Sequence, residues 1–180
     1  INGYEGDDYI TGSTRNDLIY GGTGNDLIIS GGGSDRIFGG IGDDTIDMRR
    51  NTGTSYADGG EGKDIFMLNS GPGHTIIQSY NPKEDRIDAR DCGIGSLRSA
   101  AGSIELISRQ GDLIASLQGT GYNLSGNLAA DSRNLGIISW SQGTNETLQV
   151  ITYSDCAAIQ SIRNQQDNDS LTGSPMLLML

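Results

Sequence analysis

Residues Gly21 to Ile29 read GGTGNDLII: glycines and turn-forming residues, then an Asp, then a short apolar run. Alone, this is a turn feeding a strand. Stepping by nine residues in both directions finds the same pattern, as GYEGDDYIT at 3, GSTRNDLIY at 12, SGGGSDRIF at 30 and GGIGDDTID at 39. An eleven-residue irregular unit, MRRNTGTSYAD, follows before the pattern returns as GGEGKDIFM at 59. In all six good units the sixth position is Asp (Asp8, Asp17, Asp26, Asp35, Asp44, Asp64). The eighth is large and apolar (Ile10, Ile19, Ile28, Ile37, Ile46, Phe66).

Each unit has a physical reading. Glycine at positions one, two and four permits positive φ and a tight turn. The β-branched character of positions seven to nine favours a strand. Six residues of turn plus three of strand therefore make one unit, and two units make one turn of a flattened parallel coil. The Asp of one unit then stacks on the Asp eighteen residues later, across neighbouring strands about 4.8 Å apart. Two carboxylates at that spacing repel by about 1 kcal/mol in water and by about 3.5 kcal/mol at an effective dielectric of 20.

A hard divalent cation between successive turns removes this repulsion. Calcium takes six to eight oxygens, and glycine-rich loops offer backbone carbonyls beside each Asp. Zinc prefers His and Cys, and the chain has one His and no Cys in the repeats. Magnesium holds on to its waters, which leaves calcium as the expected ion.

The bulk numbers agree with this reading. With 34% hydrophobic and 6% aromatic residues, the composition alone would suggest disorder, but the nine-residue period argues for order. The net charge of −11 is concentrated in residues 1–91, which carry 16 acidic and 8 basic side chains against 7 and 4 in the remainder. Nothing in that half would neutralise phosphates, so a nucleic-acid partner is not expected. No apolar run is long enough to span a membrane, so no transmembrane segment is expected. The chain begins at Ile1 without a charged-then-apolar leader, and is expected to be a piece of something longer. Cys92 and Cys156 are either one disulfide in an oxidising compartment or two buried thiols.

The nonapeptide GGxGxDxUx resembles the calcium-binding repeat of the RTX (repeats-in-toxin, haemolysin-type) family. Residues 3–67 carry the likeness. The stretch GPGHTIIQSYNPKEDRIDARDCGIG, which looks like the segment that closes such repeat blocks, extends it to about residue 95. The family is named for toxins but includes secreted proteases, lipases, epimerases, adhesins and surface-layer proteins. The resemblance implies a parallel β-roll with calcium held between loops along its edges. It implies metal ligands at Asp8, Asp17, Asp26, Asp35, Asp44, Asp64 and Asp85. Loop carbonyls would come from near Gly3, Gly12, Gly21, Gly22, Gly24, Gly31, Gly33, Gly39, Gly40, Gly42, Gly59, Gly60 and Gly62.

One edge would pair Asp8 with Asp26, Asp26 with Asp44 and Asp44 with Asp64; the other would pair Asp17 with Asp35. The chain departs from the pattern in places. Arg15 stands at a fourth position and is a poor residue for positive φ. Ser30 stands at a first position, and the irregular unit Met48 to Asp58 has no Asp at the expected place. Relatives carry carboxylates where Ser79 and Thr75 stand, which leaves Asp85 and Asp88 as candidates there. Asp7, Asp43 and Asp47 read as solvated neighbours.

Residues 103–109 and 112–118, SIELISR and DLIASLQ, flank QG and predict a hairpin with Ile104 and Leu106 against Leu113, Ala115 and Leu117. Residues 135–141 and 147–153 predict a second hairpin, and 155–165 a short helix begun by Ser154 or Asp155. The expected fold is all-β: a calcium-binding roll over 1–95, with two repeats per turn, then an antiparallel β cap over 96–180 with one short C-terminal helix. That cap would cover an otherwise unpaired edge.

The polar-then-apolar ending DNDSLTGSPMLLML is compatible with the uncleaved signal by which members of the family are exported through a type I secretion apparatus. The resemblance thus implies a module secreted from, or displayed on the surface of, a bacterium, folding on calcium and supporting export. The alternative is an adhesin, surface-layer or filament module that self-associates in calcium. Catalysis needs a constellation of groups; with His74 the single His, none is expected here, although an enzyme domain could precede Ile1.

Overall fold

The computed structural model describes residues 1–69 and 71–139. Nearly every element is a β-strand. The repeats supply β1 (Asn2–Glu5), β2 (Tyr9–Thr11), β3 (Leu18–Thr23), β4 (Leu27–Ile29), β5 (Arg36–Ile41), β6 (Thr45–Asp47), β7 (Thr54–Glu61) and β8 (Ile65–Asn69). They alternate between two sheets, β1-β3-β5-β7 and β2-β4-β6-β8, and every neighbouring pair is parallel.

The register follows the repeat. Ile19 lies beside Ile37, and Ile10 beside Ile28, beside Ile46. This is the parallel β-roll with two nonapeptides per turn. The irregular unit adds two residues without breaking the coil: Arg36 pairs with Tyr56, and the surplus is taken up by a turn in which the Asn51 N–H donates to the Met48 carbonyl at 3.0 Å.

The two strand sets differ in length. In β2 and β4 only positions seven to nine are strand. In β3 and β5 the strand continues through positions one to three of the next unit, so that Gly21 and Gly39 lie inside the sheet. Glycines of positive φ shape the passage from strand to loop, as at Gly22 (125°), inside β3, and Gly24 (127°), just beyond it. The eighth-position side chains point inward from both sheets. Ile19, Ile28, Ile37, Ile46 and Phe66 are all 0–1% exposed and form the core between the sheets.

The roll grows directly into the second half. β9 (His74–Gln78) follows β7, and β10 (Arg86–Asp91) follows β8. The expected hairpin forms from β12 (Ser103–Ser108) and β13 (Leu113–Gln118), with Ile104 opposite Leu117 and Leu106 opposite Ala115. Two features were not foreseen: β13 also pairs in parallel with β9, and β11 (Ile94–Ala100) adds an outer antiparallel strand. The hairpin therefore continues the roll's own sheet.

The helix α1 (Leu128–Asn134) was likewise not expected. It is N-capped by the Asn127 side chain, which accepts from the Ala130 N–H. The Asp131 carboxylate accepts from the N–H groups of Ser125 and Gly126 and from the Tyr122 hydroxyl. β14 (Ile137–Ile138) then pairs in parallel with β10, so this part of the predicted second hairpin ends the other sheet.

The remainder of that hairpin, the helix predicted over 155–165, the C-terminal tail and Cys156 lie outside the described residues. Cys92 is buried in the core. Among the described residues no helix is long and apolar enough to cross a membrane.

The core columns predict a sharp contrast. Ile46→Ala, at a fully buried position, is expected to cost about 2 to 5 kcal/mol. Ile41→Ala, at a residue 55% exposed, is expected to cost less than about 0.5 kcal/mol. Urea denaturation in saturating calcium measures both.

Candidate metal centre

The alternation of sheets gathers the loops into two edges. Loops 3–8, 21–26, 39–44 and 59–64 line the first, and the turn before β10 extends it. Their sixth-position residues form one column: Asp8, Asp26, Asp44, Asp64 and Asp85. The N–H of each Asp donates to Oδ1 of the Asp one turn on, at 2.8 Å (Asp8 to Asp26), 2.8 Å (Asp26 to Asp44), 3.0 Å (Asp44 to Asp64) and 3.2 Å (Asp64 to Asp85). One oxygen of each carboxylate from Asp26 upward is thereby structural.

The other oxygen is not. Oδ2 of Asp8, Asp26, Asp44 and Asp64 is buried and has no hydrogen-bond partner. It folds over the first glycine of its own loop: a Cβ on Gly3 would stand 2.6 Å from Asp8 Oδ2 and 2.5 Å from the Gly21 carbonyl oxygen. Gly21, Gly39 and Gly59 are crowded in the same way by Asp26, Asp44 and Asp64. The sequence suggested positive φ at position one. The backbone instead takes positive φ at positions two and four, and position one is glycine because an Asp oxygen and a carbonyl converge on its Cα.

Carbonyls complete the cradle. The Tyr4, Gly22 and Gly40 oxygens abut the second-position glycines of the next turn, Gly22, Gly40 and Gly60; those of Gly6, Gly24 and Gly42 abut the fourth-position ones, Gly24, Gly42 and Gly62. The carbonyls of Gly6, Gly24 and Gly42 accept no hydrogen bond among the described residues.

The fifth position carries a ladder that the sequence reading missed. Asp7 Oδ1 accepts from the Asn25 N–H at 2.7 Å, Asn25 Oδ1 from Asp43 at 2.8 Å, and Asp43 Oδ1 from Lys63 at 2.9 Å. It runs opposite to the Asp ladder. Its signal was visible as a short oxygen-bearing side chain at position five in five of the six good units. Asp7 and Asp43 are exposed, as expected.

Asp47 is not solvated. It is 4% exposed and holds Arg49 through Nε at 2.9 Å and Nη2 at 2.6 Å. Asp88, a candidate ligand, likewise holds Arg90 at 2.8 and 2.6 Å, which places it outside the Asp column. Asp85 belongs to that column, but its Oδ2 accepts from the Asn81 N–H at 2.8 Å.

The second edge brings Asp17 and Asp35 together, with the Asp17 N–H on Asp35 Oδ1 at 2.9 Å. The next rung is Ser55, whose Oγ accepts from the Asp35 N–H at 2.8 Å and donates to Asn51 Oδ1 at 2.9 Å. Ser55 thus stands where the irregular unit lacks an Asp. Asp35 Oδ2 is buried without a partner, whereas Asp17 Oδ2 accepts from both the N–H and the hydroxyl of Ser13, at 2.7 and 2.8 Å.

Arg15 avoids positive φ, because its loop is closed by the Ser13 hydroxyl accepting from the Arg15 N–H at 3.1 Å. Gly12 lies against the Ser30 carbonyl, Gly31 against that of Ser13, and Gly33 (φ 108°) against the backbone of Arg15.

Electrostatics separates the two kinds of carboxylate. Burial, followed by like charges in the column, pushes Asp44 up to about 6 and Asp64 up to about 7. Burial also raises Asp26, Asp35 and Asp85. The Ser13 hydrogen bonds hold Asp17 below the usual carboxylate range.

A cation among the first-edge oxygens would supply the missing partner for each Oδ2. The donor set fits a hard ion: carboxylate and carbonyl oxygen, with neither sulfur nor imidazole. Among the described residues no three His, Cys, Asp or Glu side chains gather at one point. Each site would therefore use one Asp from each of two successive loops, completed by backbone carbonyls.

Fold and site together define a parallel β-solenoid with acidic, glycine-rich loops stacked along an edge. The model of the RTX calcium-binding nonapeptide repeat family matches residues 1–14 and 11–46, and these repeats are of that family. Among solved structures, the chain is similar to the AlgE6R2 subunit of the mannuronan C5-epimerase of Azotobacter vinelandii, at 24% identity and a TM-score of 0.54, covering 75% of this chain and 94% of that one. It is also similar to the AlgE6R3 subunit of that organism's mannuronan C5-epimerase, at 23% identity and a TM-score of 0.52, covering 94% of each. Both likenesses bear on the fold. No curated protein matches the chain.

The raised carboxyls predict the pH response. Folding lifts Asp44 from 3.8 to about 6 and Asp64 from 3.8 to about 7, so the folded state binds more protons than the unfolded state across that window. The stability of the cation-free roll is therefore greatest on the acid side and falls as pH rises through about 6 to 7. In chelator, the residual β signal in circular dichroism is expected to be larger at pH 5 than at pH 8. Saturating calcium should reverse that order, because protons then compete with the ion.

Proposed function

We propose that this chain is the calcium-binding β-roll module of a secreted RTX-like protein, folding when it meets calcium and supporting type I export and stability outside the bacterial cell or on its surface. The observation that carries the reading is the column of buried, unpartnered Oδ2 atoms on Asp8, Asp26, Asp44 and Asp64, one per turn beside the free carbonyls of Gly6, Gly24 and Gly42. Calcium would sit between successive loops, using Asp8 with Asp26, Asp26 with Asp44 and Asp44 with Asp64. Such a column costs stability without the ion and gains it with the ion. The chain would thus stay loose in calcium-poor cytoplasm and become rigid outside.

The module itself is proposed to be non-catalytic. His74 Nε2 lies 3.0 Å from Ser116 Oγ, but the nearby acid, Glu105, is engaged by Arg98 at 2.7 Å. Among the described residues no third group hydrogen-bonds the imidazole to orient it, as nucleophilic catalysis requires.

Circular dichroism of the full chain in chelator, titrated with calcium and separately with magnesium, tests the folding reading. A cooperative gain of β signal with calcium alone is expected; a chain already fully folded in chelator would sink it. Asp26→Ala damages two sites and is expected to raise the calcium midpoint more than Asp8→Ala, which touches one. For export, removal of residues 150–180 is expected to stop secretion by cells carrying a type I apparatus while calcium-driven folding survives.

A further inference from the structure

The two edges of the roll are built from the same nonapeptide but end in different chemistry. Loops 3–8, 21–26, 39–44 and 59–64 carry eight acidic side chains and one basic one, Lys63. Loops 12–17, 30–35 and 48–55 carry two acidic and three basic, of which Arg49 is paired with Asp47. On the first edge four Asp Oδ2 atoms are buried and unpartnered. On the second only Asp35 presents one, since Asp17 Oδ2 accepts twice from Ser13.

The carbonyls follow the same division. Those of Gly6, Gly24 and Gly42 accept no hydrogen bond on the first edge. On the second, the Ser13 carbonyl accepts from the Gly32 N–H and the Gly33 carbonyl from the Gly53 N–H, both at 2.9 Å, while among the described residues the Arg15 carbonyl accepts none. The Gly33 N–H itself donates to Thr52 Oγ1 at 2.9 Å, and the rung above Asp35 is the neutral Ser55, tied to Asn51.

Calcium needs six to eight oxygens, and on the second edge Asp35 Oδ2 is the one carboxylate oxygen buried without a partner, while the Oδ2 of the stacked Asp17 is already held twice by Ser13. We propose that calcium is held along the first edge only, in three interloop sites, and that the second edge is closed by protein hydrogen bonds from Ser13, Thr52, Gly53 and Ser55. This rests on the proposed calcium function and narrows it. It also departs from the family expectation that Asp17 and Asp35 share an ion.

Native mass spectrometry of the full chain in calcium counts the ions, and a calcium titration gives the midpoint. Asp35→Asn and Asp17→Asn are expected to leave the ion count unchanged and the midpoint within about twofold of the parent, whereas Asp26→Asn is expected to remove ions and raise the midpoint about tenfold or more, in line with the dependence of calcium affinity on ligand charge. Loss of one ion in Asp35→Asn or Asp17→Asn overturns the inference while leaving the calcium function standing. If Asp35→Asn does not fold, the count in Asp17→Asn decides, since that side chain is only half-buried. A parent chain that binds no ion overturns the calcium function, and this inference with it.

Discussion

The structure depends on one hydrogen bond repeated along the first edge, from the N–H of each Asp to Oδ1 of the Asp one turn later. The bond fixes the register of successive turns, because a slip of one residue would remove the acceptor and turn every Ile of the core outward. It also divides the labour within each carboxylate. Oδ1 serves the backbone, and Oδ2 is forced into the loop, where it meets the first glycine and a carbonyl of the next turn. Burial of a carboxylate oxygen without a partner is costly, and in this chain the cost recurs at every turn from Asp8 to Asp64. The calcium reading therefore follows from the fold's own hydrogen bonding as well as from the repeat.

Much of this was legible in the sequence. A nine-residue period with fixed Asp and fixed Ile positions can satisfy both only if two units close one turn, and the observed registers of Ile19 with Ile37 and Leu27 with Thr45 follow from it. The hairpin around Gly111 was legible because its apolar alternation is local. What stayed hidden depends on partners distant in sequence. Ser55 replaces an Asp because its hydroxyl reaches both the Asp35 N–H and Asn51, and a two-residue insertion hides that alignment from counting by nine. Asp47 looked like one more surface acid beside the repeat, since its burial depends on Arg49 folding back on it. The parallel pairing of β13 with β9 depends on a return path of about forty residues, which local alternation cannot encode.

The reading of glycine changes most. Composition suggested that all the repeat glycines serve backbone conformation. The structure assigns two jobs: positive φ at positions two and four, and the absence of a side chain at position one. Ser30 shows the difference. It occupies a first position on the second edge, where it is fully buried and its hydroxyl bonds the Gly31 carbonyl. A Cβ is thus accepted at that first position, whereas at Gly12, on the same edge, it would meet the Ser30 carbonyl oxygen at 2.0 Å.

The distribution of unsatisfied oxygens along the axis completes the picture. Among the described residues they run from Asp8 to Asp64 and stop there. At Asp85 both oxygens are engaged, by Asp64 and Asn81, and the neighbouring sheet carries Asp47 and Asp88 each neutralised by its own Arg. Over the same span the core changes from single Ile side chains to Phe66 tilted against Tyr80 at 6.2 Å, with the Tyr80 hydroxyl donating to the Leu135 carbonyl at 2.6 Å. Aromatic side chains bury more surface per residue than Ile, so the later turns have apolar area where the earlier turns have stacked carboxylates and glycine. One coil is thus built with two means of compensation, and the change from one to the other falls between Asp64 and Asp85.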